Sequence, residues 1–145
     1  VKIRKIETSD LTAVYAMVKG LAQFEKASEK VVIDVATYEQ LLSEGLYDGH
    51  VAEIEHKVVG MVIYYPMFST WTGKLLYLED FYVLPSARGM GIGQQLFDAY
   101  LATARASDCK GAKWQVLDWN KDAIRFYERN DAIIETEWYN GRLYF

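Results

Sequence analysis

Two adjacent carboxylates, Glu79 and Asp80, sit inside an aromatic and apolar run, Leu75–Val83. Pro85 stops that run, and Arg88-Gly89-Met90-Gly91-Ile92-Gly93 then leads into an amphipathic stretch, Gln94–Ala106. A carboxylate in apolar surroundings can take a proton from a reacting group. A glycine-rich turn at a helix start lets backbone N–H groups come close to an anion. Together they point to proton chemistry beside an anion cradle rather than to phosphate binding alone. The turn lacks the terminal Lys-Ser/Thr of a P-loop. Consecutive strand residues face opposite sides, so the two carboxylates are not expected to act as a pair.

Other reactive side chains offer less. Cys109 is the single cysteine, which excludes an internal disulfide framework and agrees with a reducing compartment. It has no nearby histidine or Cys-x-x-Cys pattern and reads as a packed side chain. His50 and His56 have no sequence-local partner; they are expected at turns or on the surface, and no metal-ligand cluster is formed. A net charge of -4 gives no general attraction to nucleic acid or an anionic membrane, and suits a cationic small molecule. The opening VKIRKIETSDL has no apolar signal core, and no run reaches the roughly 18 apolar residues of a membrane span. A soluble, cytoplasmic protein is expected.

The elements that must hold these groups follow from periodicity. Val1–Ile6 alternates as a strand, and a helix is expected from about Ser9 to Phe24 after Thr8-Ser9-Asp10. Glu25–Lys30 is a polar break. Asp34 caps a short helix with Tyr38, Leu41 and Leu42. Val51–Glu55 and Val58–Tyr65 flank His56-Lys57 as antiparallel strands, and Pro66–Gly73 reads as an aromatic connection. After the helix at Gln94–Ala106, Ala112–Leu117 is a strand and Asn120 caps a helix that carries Tyr127. Ile133–Tyr139 and Arg142–Phe145, around Asn140-Gly141, read as a closing hairpin. No repeat or linker divides residues 1–145, so a single α/β domain is expected: a mixed sheet covered by helices.

The turn Arg88–Gly93 after an aromatic strand resembles the acetyl-coenzyme A motif of the GCN5-related N-acetyltransferase superfamily. A closer resemblance spans nearly the whole chain. Leu21–Glu25, Gly73–Asp80, Trp119-Asn120 and Phe126-Tyr127-Glu128 are similar to the spermidine/spermine acetyltransferase subfamily. Ser69–Gly73 (STWTG) and Val116–Asn120 (VLDWN) resemble its thialysine N-acetyltransferase branch most.

That resemblance implies the superfamily's fold, a mixed, mostly antiparallel sheet flanked by helices, and acetyl-CoA as acetyl-donor cosubstrate. Arg88, Gly89, Met90, Gly91, Ile92, Gly93 and Gln94 would meet its pyrophosphate, and Phe81, Tyr82 and Val83 its pantetheine. Asn120, Lys121, Asp122 and Ala123 would add later contacts. Glu79 becomes the favoured base, directly or through water, and Asp80 an aid to substrate charge or loop structure. Tyr127 would protonate the departing thiolate, a phenol being protonated at neutral pH. Backbone following the central strand would polarise the thioester carbonyl.

Phe24, Glu25, Ser69 and Trp71 fall in the acceptor region, with Glu79 near the reacting nitrogen and Asp80 also among the substrate-binding residues. Ser69 stands where the spermidine/spermine branch has an acidic residue, which favours thialysine or another small amine over spermine. The resemblance also implies a homodimer involving the carboxy-terminal hairpin. A protein or peptide N-acetyltransferase is the alternative enzyme, and a non-catalytic acyl-coenzyme A-binding module the alternative of another class.

Overall fold

The computed structural model describes residues 1–145. Its elements in chain order are β1 (Lys2–Lys5), α1 (Leu11–Phe24), α2 (Val35–Ser43), β2 (Asp48–Ile54), β3 (Lys57–Ser69), β4 (Gly73–Val83), α3 (Ile92–Ala106), β5 (Gly111–Trp114) and α4 (Lys121–Arg129). Short 3-10 turns occupy Thr8–Asp10, Ser28–Lys30 and Pro85–Ala87. The strands form one sheet in the order β1-β2-β3-β4-β5, antiparallel except for the parallel pair β4–β5. The expected mixed, mostly antiparallel sheet flanked by helices is therefore present. Contacts divide the chain into Val1–Gln115, which holds the whole sheet and α1–α3, and Val116–Phe145, which holds α4.

Alternation on β2 and β3 feeds two cores in the first unit. Val51, Met61 and Ile63 meet Leu11, Val14 and Met17 of α1 on one face. On the other, Tyr64 packs beside Tyr100 of α3 at 5.6 Å, and the Tyr100 hydroxyl donates to the Leu76 carbonyl at 2.6 Å. Burying each of the large apolar side chains contributes about 1.5–3 kcal/mol, which outweighs the roughly 1 kcal/mol that Gly20 costs in the middle of α1. Gly20 is there for space: a Cβ at that position would stand 3.2 Å from the Tyr82 hydroxyl.

The amino-terminal end is locked by charge. Arg4 donates from both terminal nitrogens to Asp10 at 2.8 Å and from Nε to Glu53 at 2.8 Å. Asp10 is the buried charged residue of the core, and it also accepts from the Glu7 amide, closing the turn before α1. Asp34 caps α2 as expected, accepting from Thr37 N–H at 3.0 Å.

Three stretches differ from the sequence expectation. Pro66–Ser69 continues β3 instead of forming a connection. Pro66 is tolerated because β2 pairs with β3 only as far as Tyr64, so no neighbour needs an N–H from Pro66 on that side. His50 lies half-buried within β2, where its Nδ1 is 2.9 Å from the Tyr64 hydroxyl, whereas His56 is at an exposed turn with φ 65°. Finally, residues 133–139 and 142–145 form no strands. A lone hairpin is marginal in water, and Val116–Phe145 contains no other strand to pair with. Trp138, Tyr139, Leu143, Tyr144 and Phe145 are exposed there.

Candidate active site

The site begins with a break in register. On β4, Leu78 pairs with Tyr64 and Asp80 with Ile63, which leaves Glu79 as an extra residue in a β-bulge. A bulge shifts the side chains beyond it by one face. Leu76 and Leu78 therefore point into the α3 core, while Asp80 sits over the α1 face opposite Ile63. Glu79 and Asp80 both line one cavity of about 550 Å³, so the expected separation of the two carboxylates does not hold. The cavity walls are Val18 of α1, Val31, Val32 and Ile33, Tyr38 and Leu41 of α2, Leu46 and Tyr47, and Ile63 and Tyr65 of β3. Lys30, from the turn after α1, is the single cation among them.

The two carboxylates are not equivalent. Glu79 is exposed and accepts a hydrogen bond from the Tyr65 hydroxyl at 3.1 Å. Asp80 is half-buried, and no hydrogen bond or ion pair within the chain reaches its carboxylate. Burial, reinforced by the charges of Glu79 and Glu25, pushes the Asp80 carboxyl up to about 7. The Tyr38 phenol, raised first by burial and then by Asp80, reaches about 12. Tyr65 is raised by burial and by Glu79, so both phenols stay protonated around the carboxylates. Burial also raises Glu25, the residue that follows α1.

Beyond the bulge the sheet opens. β5 pairs with β4 only from Leu75 to Leu78, while β4 continues to Val83. Residues 79–83 thus have an edge without a β5 partner, the kind of edge to which an extended amide-bearing ligand can pair. Phe81 stacks on Phe97 of α3 at 6.0 Å, and the Val83 carbonyl accepts from Arg88 Nε at 2.9 Å. The Arg88 guanidinium lies 5.3 Å from the centre of the Tyr82 ring, which fixes the strand-to-turn corner.

The glycine turn follows. Gly89 and Gly91 have φ of 80° and 75°, a region costly for other residues, and an added Cβ at either would meet nothing within 4 Å. The face they present is open. α3 starts at Ile92 with no side-chain cap and no acidic residue in its first turn. First-turn amides lack intrahelical acceptors, and the helix dipole adds positive potential. These residues fit a pyrophosphate-bearing cosubstrate. Gln94 directs its side-chain amide to Asp98 at 2.8 Å, so the expected contact from Gln94 falls to its backbone.

In the second unit Asn120 caps α4, accepting from Ala123 N–H at 3.3 Å, and Lys121 Nζ donates to the Asp118 carbonyl at 2.8 Å. Asp122 pairs with Arg125. Tyr127 is buried, with Phe126 edge-on at 5.6 Å.

The acceptor residues expected from the sequence are not all brought together. Glu25 acts electrostatically on Asp80, and Phe24 beside it is exposed. Ser69 and Trp71 lie at the β3–β4 turn, where Ser69 Oγ accepts from the amides of Trp71 and Thr72 at 3.2 Å each. Glu79 lies six residue steps along β4 from Gly73, which is opposite Ser69, or roughly 20 Å along an extended strand. Trp71 is 87% exposed and is absent from the cavity wall. Sequence reasoning missed Tyr38, Tyr65, Lys30 and Val31–Ile33. Tyr65 carried a signal, since period-2 alternation puts it on the face of Ile63; Lys30 and Val31–Ile33 lie in a loop whose placement no periodicity reports.

The acetyltransferase (GNAT) family model matches residues 13–131. The chain is 37% identical over 140 residues to a thialysine N-epsilon-acetyltransferase of Mus musculus, covering 88% of this chain and 81% of the relative. It is 35% identical over 158 residues to the Sus scrofa protein of the same name, covering 98% and 91%. Among solved structures, an aminoglycoside acetyltransferase from an uncultured soil metagenomic sample superposes with a TM-score of 0.81 at 19% identity, covering 99% of this chain and 95% of the other; that likeness is one of fold.

Proposed function

The chain belongs to the acetyltransferase (GNAT) family, and on that premise we propose that it transfers an acetyl group from acetyl-coenzyme A to the amine of a small substrate: thialysine, a lysine-like amine or a polyamine. The observation that carries this reading is the cavity at the bulge, where two carboxylates close a pocket whose walls, apart from Lys30, are aliphatic and tyrosine-lined. An ammonium group on a short aliphatic stem suits such a pocket: the acids attract the cation, and the apolar walls cover the stem. The names of the mouse and pig relatives agree with an amine of this size.

Acetyl-CoA, when bound, supplies the activated thioester. The backbone of Arg88–Gln94 would hold its pyrophosphate, the free edge of Phe81–Val83 its pantetheine, and Asn120–Ala123 further groups. The amine arrives as a cation and must lose a proton before it can attack. A carboxylate of the bulge takes that proton, and Glu79 is the one favoured by family resemblance. The acid that protonates the departing sulfur is, by family resemblance, Tyr127. Lys30 can pair with a carboxylate on the acceptor, which supports an amino acid of the lysine type over a polyamine.

We extend the proposal to a homodimer, supported by the exposed apolar side chains of residues 133–145, which need covering. Acetyl transfer by the purified protein to thialysine, lysine, spermidine, spermine and a peptide amine tests the acceptor. Turnover of at least one small amine well above the peptide is expected; transfer to the peptide alone would replace this reading with a protein N-acetyltransferase.

A further inference from the structure

We propose that Asp80, rather than Glu79, is the catalytic residue that takes the proton from the acceptor amine, an inference that rests on the acetyl-transfer reading above. The bulge supplies its geometry. Without the extra residue at 79, Asp80 would share the face of Leu78 and enter the α3 core; with it, Asp80 lies over Ile63 in the cavity wall. The two carboxylates then differ in what already occupies them. Glu79 is engaged by the Tyr65 hydroxyl and open to water. The Asp80 carboxylate accepts no hydrogen bond within the chain, so its lone pairs are available to an incoming N–H donor.

The surroundings match that task. The ionisable groups facing Asp80 are Glu79 on the same strand, Tyr65 on β3, Tyr38 on α2, Tyr47 before β2, Glu25 after α1 and Lys30 at the rim. The phenols stay neutral, and Glu79 and Glu25 favour a proton on Asp80. A base works best when its proton affinity lies near the operating pH, and Asp80, at about 7, meets that condition. Glu79 becomes a positioning residue: its charge tunes Asp80 and its bond orders Tyr65.

In the step itself, a proton leaves the ammonium for an Asp80 oxygen, and the freed nitrogen lone pair forms the new C–N bond. The C–S bond breaks with its electron pair going to sulfur, which takes a proton from the acid, the role that the family resemblance gives Tyr127. A second N–H proton, released as the amide forms, passes to solvent, as does the one held by Asp80. Tyr127 regains a proton from water.

The test compares wild type, Glu79→Gln and Asp80→Asn with acetyl-CoA and the most active amine of the panel above. Asp80→Asn is expected to lose 100-fold or more in kcat, on the order of a general base. Glu79→Gln should raise KM for the amine, because one of the two acids that attract the cation is gone, and should lose far less kcat than Asp80→Asn. The acid limb of its kcat/KM profile should move to lower pH because a neighbouring negative charge is gone. A second measurement does not depend on the substrate or on the folding of Asp80→Asn. The infrared band of protonated carboxyl, in wild type labelled at aspartate carboxyls, should titrate near neutral pH and shift in Glu79→Gln. Near-normal turnover of Asp80→Asn, or no aspartate band titrating near neutrality, overturns the assignment. A wild type that acetylates no amine overturns the acetyl-acceptor reading together with it, whereas active wild type with an unaffected Asp80→Asn overturns this inference alone.

Discussion

Asp80 stands opposite Ile63 and Leu78 opposite Tyr64, so Glu79 is the one residue of β4 with no partner across from it on β3. That register step places two carboxylates in one half-buried wall. It also stores an electrostatic cost, because a carboxyl with a raised pKa binds its proton more tightly in the folded than in the unfolded chain. By linkage, the folded state loses stability as pH rises from the ordinary carboxylate range of about 4 to about 7. Asp80→Asn should therefore melt higher than wild type at pH 8, by about 4 °C for roughly 1 kcal/mol. At pH 4 the two should coincide. Scanning calorimetry across pH 4–8 checks this, and a difference that does not grow with pH would count against a strained Asp80.

The opposite sign holds at Asp10. Arg4 donates two hydrogen bonds to it, and that pairing holds its carboxyl below the ordinary range. The resulting stability is present above the unfolded pKa of about 4 and is lost as pH falls through the lower folded value. Arg4→Met should cost about 2–3 kcal/mol at pH 7 by leaving a buried carboxylate without its charged donors. Denaturant titration should show that cost shrinking below pH 4.

Much of this was legible in the sequence, and the residues show why. Asp34, Pro85 and the glycine turn are local signals whose physics works within a few residues, and all three perform the structural task expected of them. The bulge at Glu79 was not legible. Leu75–Val83 is apolar on both sides of Glu79-Asp80 and has no alternation against which an inserted residue would stand out, so the extra residue shows only against the opposing register of Ile63 and Tyr64. The closing strands at 133–139 and 142–145 were misread for a related reason: alternation and Asn-Gly describe a strand's willingness to pair, and the partner must come from elsewhere.

Tyr127→Phe removes the phenolic proton and little else. A drop in kcat of about 100-fold or more with unchanged binding of acetyl-CoA is expected. Stopped turnover assays beside calorimetric titration of the cofactor separate the two; turnover within a factor of two of wild type would remove Tyr127 from the reaction.

Gly91→Ala places a Cβ in a left-handed backbone and on the open face of the turn. The backbone term costs about 1 kcal/mol of stability. Affinity for acetyl-CoA should fall further than that, by tenfold or more, because the methyl stands where the anion approaches. Equal affinity in isothermal titration would show that the turn is only a structural corner.

Lys30→Gln should raise KM for lysine or thialysine by about five- to tenfold while leaving kcat and the KM for spermidine nearly unchanged, the pattern of a lost binding contact. A parallel rise for both acceptor classes would mean that Lys30 shapes the pocket and does not select among substrates.

The parting of β4 from β5 after Leu78 has a consequence for how this chain can vary. An edge that binds through its main chain places little demand on the identity of the side chains at 81–83, provided that they fill the cores beneath them. Hydrophobic exchanges at Phe81 or Val83 should drift freely over time with little effect on cosubstrate use. Proline is the exchange that this stretch should reject, since it removes the N–H on which such recognition, or the pairing with β3, depends.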